Sequence, residues 1–190
     1  MHAMRLHWYD DDALAAHHAA PSVFLAGPTR RALDDVPRLT PWRARAVELF
    51  RSGGFDGTLV VPEFRERTFA AAVQERFGGA PTCVPGMKAT SCGVLAWETA
   101  GIEHASVVLF WMPFSLGDDD ASLPGFTTRA EVSRELARDP SRVVLGMPEG
   151  ALSSSHIRFH AHAAGLVVYP TLEDTVASTL RHLTGVVAGS

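Results

Sequence analysis

The sequence predicts an α/β protein built on a doubly wound, five-stranded parallel sheet of flavodoxin-like or Rossmann-like type. Two observations carry this prediction. Short, almost unbroken apolar runs recur at 22–26, 58–62, 106–112, 142–147 and 166–169, and segments of helical pattern separate them. A strand that is apolar on both sides is buried on both faces, and alternation with helices supplies the crossovers of a parallel sheet. Right-handed crossovers then wrap helices over both faces.

Taken in order, residues 1–21 read as an N-terminal arm and 22–190 as one domain. Ser22-Val-Phe-Leu-Ala26 is a strand cut off by the turn Gly27-Pro28. Thr40-Pro41-Trp42 starts a helix, with Thr as cap and Pro at the first helical position, and Gly53-Gly54 ends it. The second strand covers 58–62, and a helix follows over 68–76. Residues 80–93, with Pro81, Pro85, Cys83 and Cys92, read as an irregular insert. The spacing predicts helices over 95–104, 128–137, 155–164 and 171–183, the last capped by Thr171. They interleave with the remaining strands, and 118–125 is a loop.

Composition excludes several function classes. The net charge of -4 argues against a nucleic-acid duplex as partner, because phosphate neutralisation needs clustered Lys and Arg. No run approaches the roughly 18 apolar residues of a membrane span. Asp10, Asp11 and Asp12 stand where the apolar part of a signal peptide would run. The two cysteines form no disulfide framework, so buried free thiols and a cytoplasmic location are expected.

In doubly wound sheets, ligands bind at the carboxyl ends of the strands. That places interest on 27–31, 62–65, 111–114 and 147–150, with Trp111 and Pro113 among them. Gly27-Pro28-Thr29-Arg30 is neither a dinucleotide fingerprint nor a P-loop. In Gly125-Phe-Thr-Thr-Arg-Ala-Glu131, Thr128 and Glu131 have capping-box spacing, so Glu131 would tie off a helix start. The same placement puts its carboxylate in the positive end of the helix dipole, which suits an ionised nucleophile. Trp97-Glu98 opens the preceding helix in this reading. Glu98 is either a surface acid or a group handling a proton, and Trp97 offers a flat apolar face to a heterocycle. His156, His160 and His162 lie close together, but no HExxH pattern or cysteine pair accompanies them. They read as solvated helix histidines, or as a source of one contact to a substrate phosphate, with no metal expected.

Val23-Phe-Leu-Ala-Gly-Pro-Thr29, Trp97-Glu98 with Gly101-Ile102, Val108-Leu-Phe-Trp-Met-Pro113 and Gly125-Phe-Thr-Thr-Arg-Ala-Glu131 occur in that order. This series resembles the nucleoside 2-deoxyribosyltransferase-like family, over about 23–166. The resemblance implies a flavodoxin-like fold and cleavage or exchange of the N-glycosidic bond of a nucleoside or nucleotide. It implies Glu131 as nucleophile and Glu98 as the acid that contacts the base or sugar and aids proton transfer. By the same resemblance Gly27, Pro28 and Thr29 line the sugar pocket, and Glu63 and Arg65 lie near the base. The mechanism would be that of a retaining glycosidase, with no metal or cofactor. Arg30, Arg31, Thr127 and Thr128 are placed to hold a 5′-phosphate. A homo-oligomer is expected from the resemblance. The alternative reading is a non-catalytic nucleotide- or nucleoside-binding module using the same cleft.

Overall fold

The structure is a computed structural model that describes residues 4–12, 21–29, 40–65, 69–114 and 125–187. Arg30, Arg31 and the acids Asp118, Asp119 and Asp120 lie outside those residues. The described chain forms an α/β fold whose sheet contains only parallel pairs. Its strands are β1 (Arg5–His7), β2 (Ser22–Ala26), β3 (Thr58–Val60), β4 (Val107–Trp111), β5 (Val143–Gly146) and β6 (Val168–Tyr169). Its helices are α1 (Pro41–Ser52), α2 (Phe69–Phe77), α3 (Ala89–His104), α4 (Phe126–Arg138), α5 (Ser155–Ala163) and α6 (Leu172–Val187).

The spatial order is β1-β3-β2-β4-β5-β6. Successive side chains of a strand point to opposite faces, and the core divides accordingly. Val23, Leu25, Leu59, Val107, Leu109 and Val144 face α1 and α6, meeting Trp42, Ala46, Phe50 and Val176. Phe24, Ala26, Val60, Val108, Phe110 and Leu145 face the other helices, meeting Ile102, Val132, Leu136 and Ile157. Two apolar sets one residue out of phase are what an unbroken apolar run provides.

From β2 the chain passes to β3 on one side; from β4 it passes to β5 on the other. The segments leaving β2 and β4 therefore diverge, α1 to one face and α4 to the other. This is the switch point at which doubly wound sheets open a crevice.

Four sequence expectations change. The sheet has a sixth strand, β1, inside the segment read as an arm; it pairs with β3 through Arg5↔Thr58, Leu6↔Leu59 and His7↔Val60. Three residues with an exposed Arg5 at the edge are too short and too polar to announce a strand. Helix α3 begins at Ala89, well inside the expected insert, so Trp97 and Glu98 sit mid-helix. Tertiary packing overrides the weak propensity of Thr90, Ser91 and Gly93: Gly93 lies so close to Phe77 of α2 that a Cβ would come within 2.7 Å of it. Cys83 and Cys92 are bonded to each other, with Cα atoms 5.6 Å apart, and are not free thiols. The disulfide ties the loop before α3 to the first turns of that helix. Helix α4 starts at Phe126 with Gly125 as its N-cap, in the left-handed region at φ 57°, and has no side-chain capping bond. Thr128 and Glu131 form no capping box; Glu131 falls in the second turn. A Cβ on residue 125 would collide with the Phe114 ring, so glycine is required there for space as well as for φ.

Thr171 caps α6 as expected. Its Oγ1 accepts from the Asp174 N–H at 3.1 Å and donates to the Asp174 carboxylate at 2.6 Å. Among the described residues no helix is long and apolar enough to cross a membrane.

Candidate active site

Four ionisable groups converge beyond the carboxyl ends of the central strands: Tyr9, Arg43, Glu98 and Glu131. Tyr9 follows β1, and its backbone N–H donates to the Glu63 carbonyl at 3.0 Å, just past β3. Its ring is buried among Phe64, Phe69, Phe77 and Trp97, with the Trp97 ring 4.7 Å away at 64°. That cage aims the hydroxyl at α3, where it donates to Glu98 Oε1 at 2.5 Å. Burial first, and then the Glu98 charge, push the Tyr9 phenol well above its ordinary range, so it stays a donor at any physiological pH.

Glu131 projects from α4 and is half-buried. Its carboxyl is pushed up from the ordinary 4.5 to about 7, first by burial and then by the Glu98 charge; Arg134 and Arg43 pull the other way. The expectation that the helix dipole would hold Glu131 ionised is therefore reversed. The second turn is beyond the reach of the dipole's strong end, and desolvation wins. Glu98 stands close enough for its charge to be felt by both Glu131 and Tyr9. The arrangement is a pair of carboxyls that resists carrying two negative charges, with one member steadied by a phenol.

Arg43 organises the other wall. It lies on the apolar stripe of α1 and is 1% exposed. Its guanidinium donates to Glu63 Oε1 at 2.6 Å, Thr29 Oγ1 at 2.9 Å, the Gly27 carbonyl at 2.8 Å and the Leu25 carbonyl at 3.3 Å. Trp42 Nε1 donates to the Pro28 carbonyl at 3.0 Å. The turn after β2 is thus held by two neighbouring residues of α1. Gly27 is required by contact: a Cβ would strike the Trp111 carbonyl and the Trp42 ring.

The remaining sequence candidates divide. Gly27, Pro28 and Thr29 stand at the switch-point crevice, Thr29 only partly buried. Glu63 is committed elsewhere: it takes the Arg43 guanidinium and, through Oε2, the Thr40 N–H at 2.9 Å. Thr40 makes no side-chain cap on α1. Trp97 is 5% exposed, stacks on His7 and gives its N–H to the Asp11 carbonyl at 3.1 Å. Its ring faces are used by the core and are not offered to a heterocycle. Trp111 is likewise buried, at the end of β4, while Pro113 beyond it is half-buried. Thr127 is exposed and Thr128 buried, so only the Thr127 hydroxyl reaches outward. Arg65 is exposed, its N–H bonded to Asp10 Oδ2 at 3.0 Å.

Tyr9 and Arg43 are site residues that the sequence reading missed. Arg43 left a trace: an arginine on the apolar stripe Trp42, Ala46, Val47, Phe50 must be paired or point at something polar. Tyr9 left only the alternation Leu6, Trp8 beside it.

Fold and site together define a doubly wound α/β protein with a half-buried two-carboxyl centre at its switch point. No protein-family profile matches the chain, and no curated protein matches it.

Proposed function

We propose that this chain cleaves or exchanges the N-glycosidic bond of a nucleoside or nucleotide, with Glu131 as nucleophile and Glu98 handling the proton of the leaving base. The observation that carries the proposal is the Glu98–Glu131 relationship: two half-buried carboxyls, of which Glu131, through desolvation first and the Glu98 charge second, keeps a proton up to about pH 7. On Glu131 that proton blocks attack. Moved to Glu98, it frees the nucleophile and stands ready for the leaving group.

The Glu131 carboxylate then bonds to the anomeric carbon as the C–N bond breaks. The electron pair goes to the base nitrogen, which takes the proton from Glu98. Water, or an acceptor base, attacks the glycosyl ester, gives its proton to Glu98 and restores Glu131. Tyr9 steadies the Glu98 charge while the glycosyl ester stands. The turn Gly27, Pro28, Thr29, fixed by Arg43 and Trp42, forms the sugar wall. Exposed aromatics on the helix surfaces, Phe126 and Phe159, support a homo-oligomer.

The elevated proton affinity of Glu131 also favours a second reading. A neutral carboxyl in a buried cleft is a good hydrogen-bond donor to a base, as a non-catalytic nucleotide- or nucleoside-binding module would need. Incubation with a panel of nucleosides and nucleotides, with and without acceptor base, separates the two. Free base appearing by chromatography with the wild type but not with Glu131→Gln supports the enzyme. Ligand binding without base release supports the module. Neither release nor binding overturns both.

A further inference from the structure

The proposed reaction leaves three histidines of α5 unused. His156 and His160 are one helical turn apart and exposed, with ring centroids 4.4 Å apart at 63° and Nε2 atoms 3.2 Å apart. Two imidazole nitrogens at that separation are within hydrogen-bonding distance. The separation is also the bite of a transition-metal ion. With metal–nitrogen bonds of about 2.0–2.1 Å and a near-tetrahedral angle, two imidazole nitrogens on one ion lie about 3.3 Å apart.

We propose that His156 and His160 are a two-donor chelate for a borderline divalent transition-metal ion of the Cu²⁺, Ni²⁺ and Zn²⁺ class. Imidazole donors select this class over the hard cations Mg²⁺ and Ca²⁺, which take oxygen ligands. On binding, each ring keeps its N–H on Nδ1 and turns the Nε2 lone pair to the ion. His162 follows His160 by two residues, about 200° round the helix, and belongs to another face. Among the described residues no group of three side chains is arranged to hold a metal, so the ion's remaining positions fall to water or an incoming ligand.

The pair is held in place before binding. Arg158 anchors the start of α5 through the Pro148 carbonyl at 3.0 Å and the Met147 carbonyl at 3.3 Å. Arg129 of α4 donates to the Ser153 and Leu152 carbonyls, each at 2.8 Å, just before the helix. The exposed Phe159 ring packs edge-on against His160 at 5.4 Å. A chelate whose donors are already positioned loses less entropy on binding.

The test is calorimetric titration of the full chain with CuCl₂, NiCl₂ or ZnCl₂, and with MgCl₂ for comparison, in buffer free of thiol and imidazole. Cu²⁺ should bind tightest, following the general order of divalent affinities, and Mg²⁺ should give no comparable heat. The double variant His156→Ala/His160→Ala should weaken the tightest event by about tenfold or more, equivalent to about 1.4 kcal/mol. His162→Ala should leave that event unchanged. Alanine is the best helix former and both positions are exposed, so the variants keep α5. The melting temperature should rise with Cu²⁺ for the wild type and not for the double variant. A double variant that binds the ions as tightly as the wild type overturns the site, as does Mg²⁺ binding equal to that of Cu²⁺.

Discussion

The Tyr9 hydroxyl donates to Glu98 Oε1 across 2.5 Å, joining the segment after β1 to the middle of α3 over 89 residues of sequence. The bond makes Tyr9 a positioning residue for Glu98. Tyr9→Phe keeps the ring in its aromatic cage and removes only the donor. A hydrogen bond to a charged group is worth about 1.5–3 kcal/mol, so base release should slow about 10- to 100-fold with little change in KM. A purely structural Tyr9 would lower the melting temperature and leave kcat as it was; steady-state kinetics and thermal melts on the same protein decide.

Glu131→Gln should lose turnover by orders of magnitude and yet gain stability above neutral pH. The folded carboxyl binds its proton more tightly than the unfolded one, about 7 against 4.5. The folded state therefore holds more protons between those values, and wild-type stability falls as pH rises from about 4.5 through 7. The loss approaches about 3 kcal/mol at its upper limit, and glutamine removes it. Urea unfolding at pH 5 and pH 8 should show a pH-dependent gap between the two proteins. In the proposed reaction Glu98 must supply the one proton that the pair holds, so wild-type kcat/KM should fall as pH rises through about 7, where that proton is lost.

Arg43→Met should destabilise the protein by about 3–5 kcal/mol, because it leaves the Glu63 carboxylate buried without its partner. Adding Glu63→Leu should recover part of that loss. Additive losses in a double-mutant cycle by urea denaturation would show that the two charges do not depend on each other.

Replacing both Cys83 and Cys92 by serine opens a short loop, the paired residues being nine apart in sequence. Loop-closure entropy puts the cost at about 2–3 kcal/mol. The loss should appear as a lower urea midpoint, and dithiothreitol should lower the wild-type midpoint similarly without affecting the variant.

How much the sequence revealed follows from what each feature rests on. The strands β2 to β5 were legible because strands buried on both faces need mostly apolar side chains, and Val107 to Trp111 has nothing else; β6, half-buried at the far edge, kept only Val168 and Tyr169 of the run expected over 166–169. Strand β1 was not, since an edge strand of three residues is defined by its pairing to β3 and not by its own pattern. The helix that carries Glu131 was legible, but its first residue was not. Gly125 acts as N-cap through a left-handed backbone that no spacing rule signals. The proton affinity of Glu131 was invisible for a different reason: it depends on burial and on Glu98, which only the folded chain brings near. Glu63 illustrates the opposite error, a carboxylate offered to a ligand that is already taken by a buried arginine.

Strand β1 has one further consequence. It is three residues long and bonded to a neighbour on one side only, and Tyr9 follows it directly. Such an edge detaches at a lower free energy than the strands beneath it, by local opening that leaves the rest of the sheet intact. Each opening would carry the phenol away from Glu98. The fraction of molecules with a complete centre is then set by the fraying of the first strand, while global stability could be altered elsewhere without changing it. Amide exchange at Val61, whose N–H donates to the His7 carbonyl at 2.8 Å, would report that fraction directly.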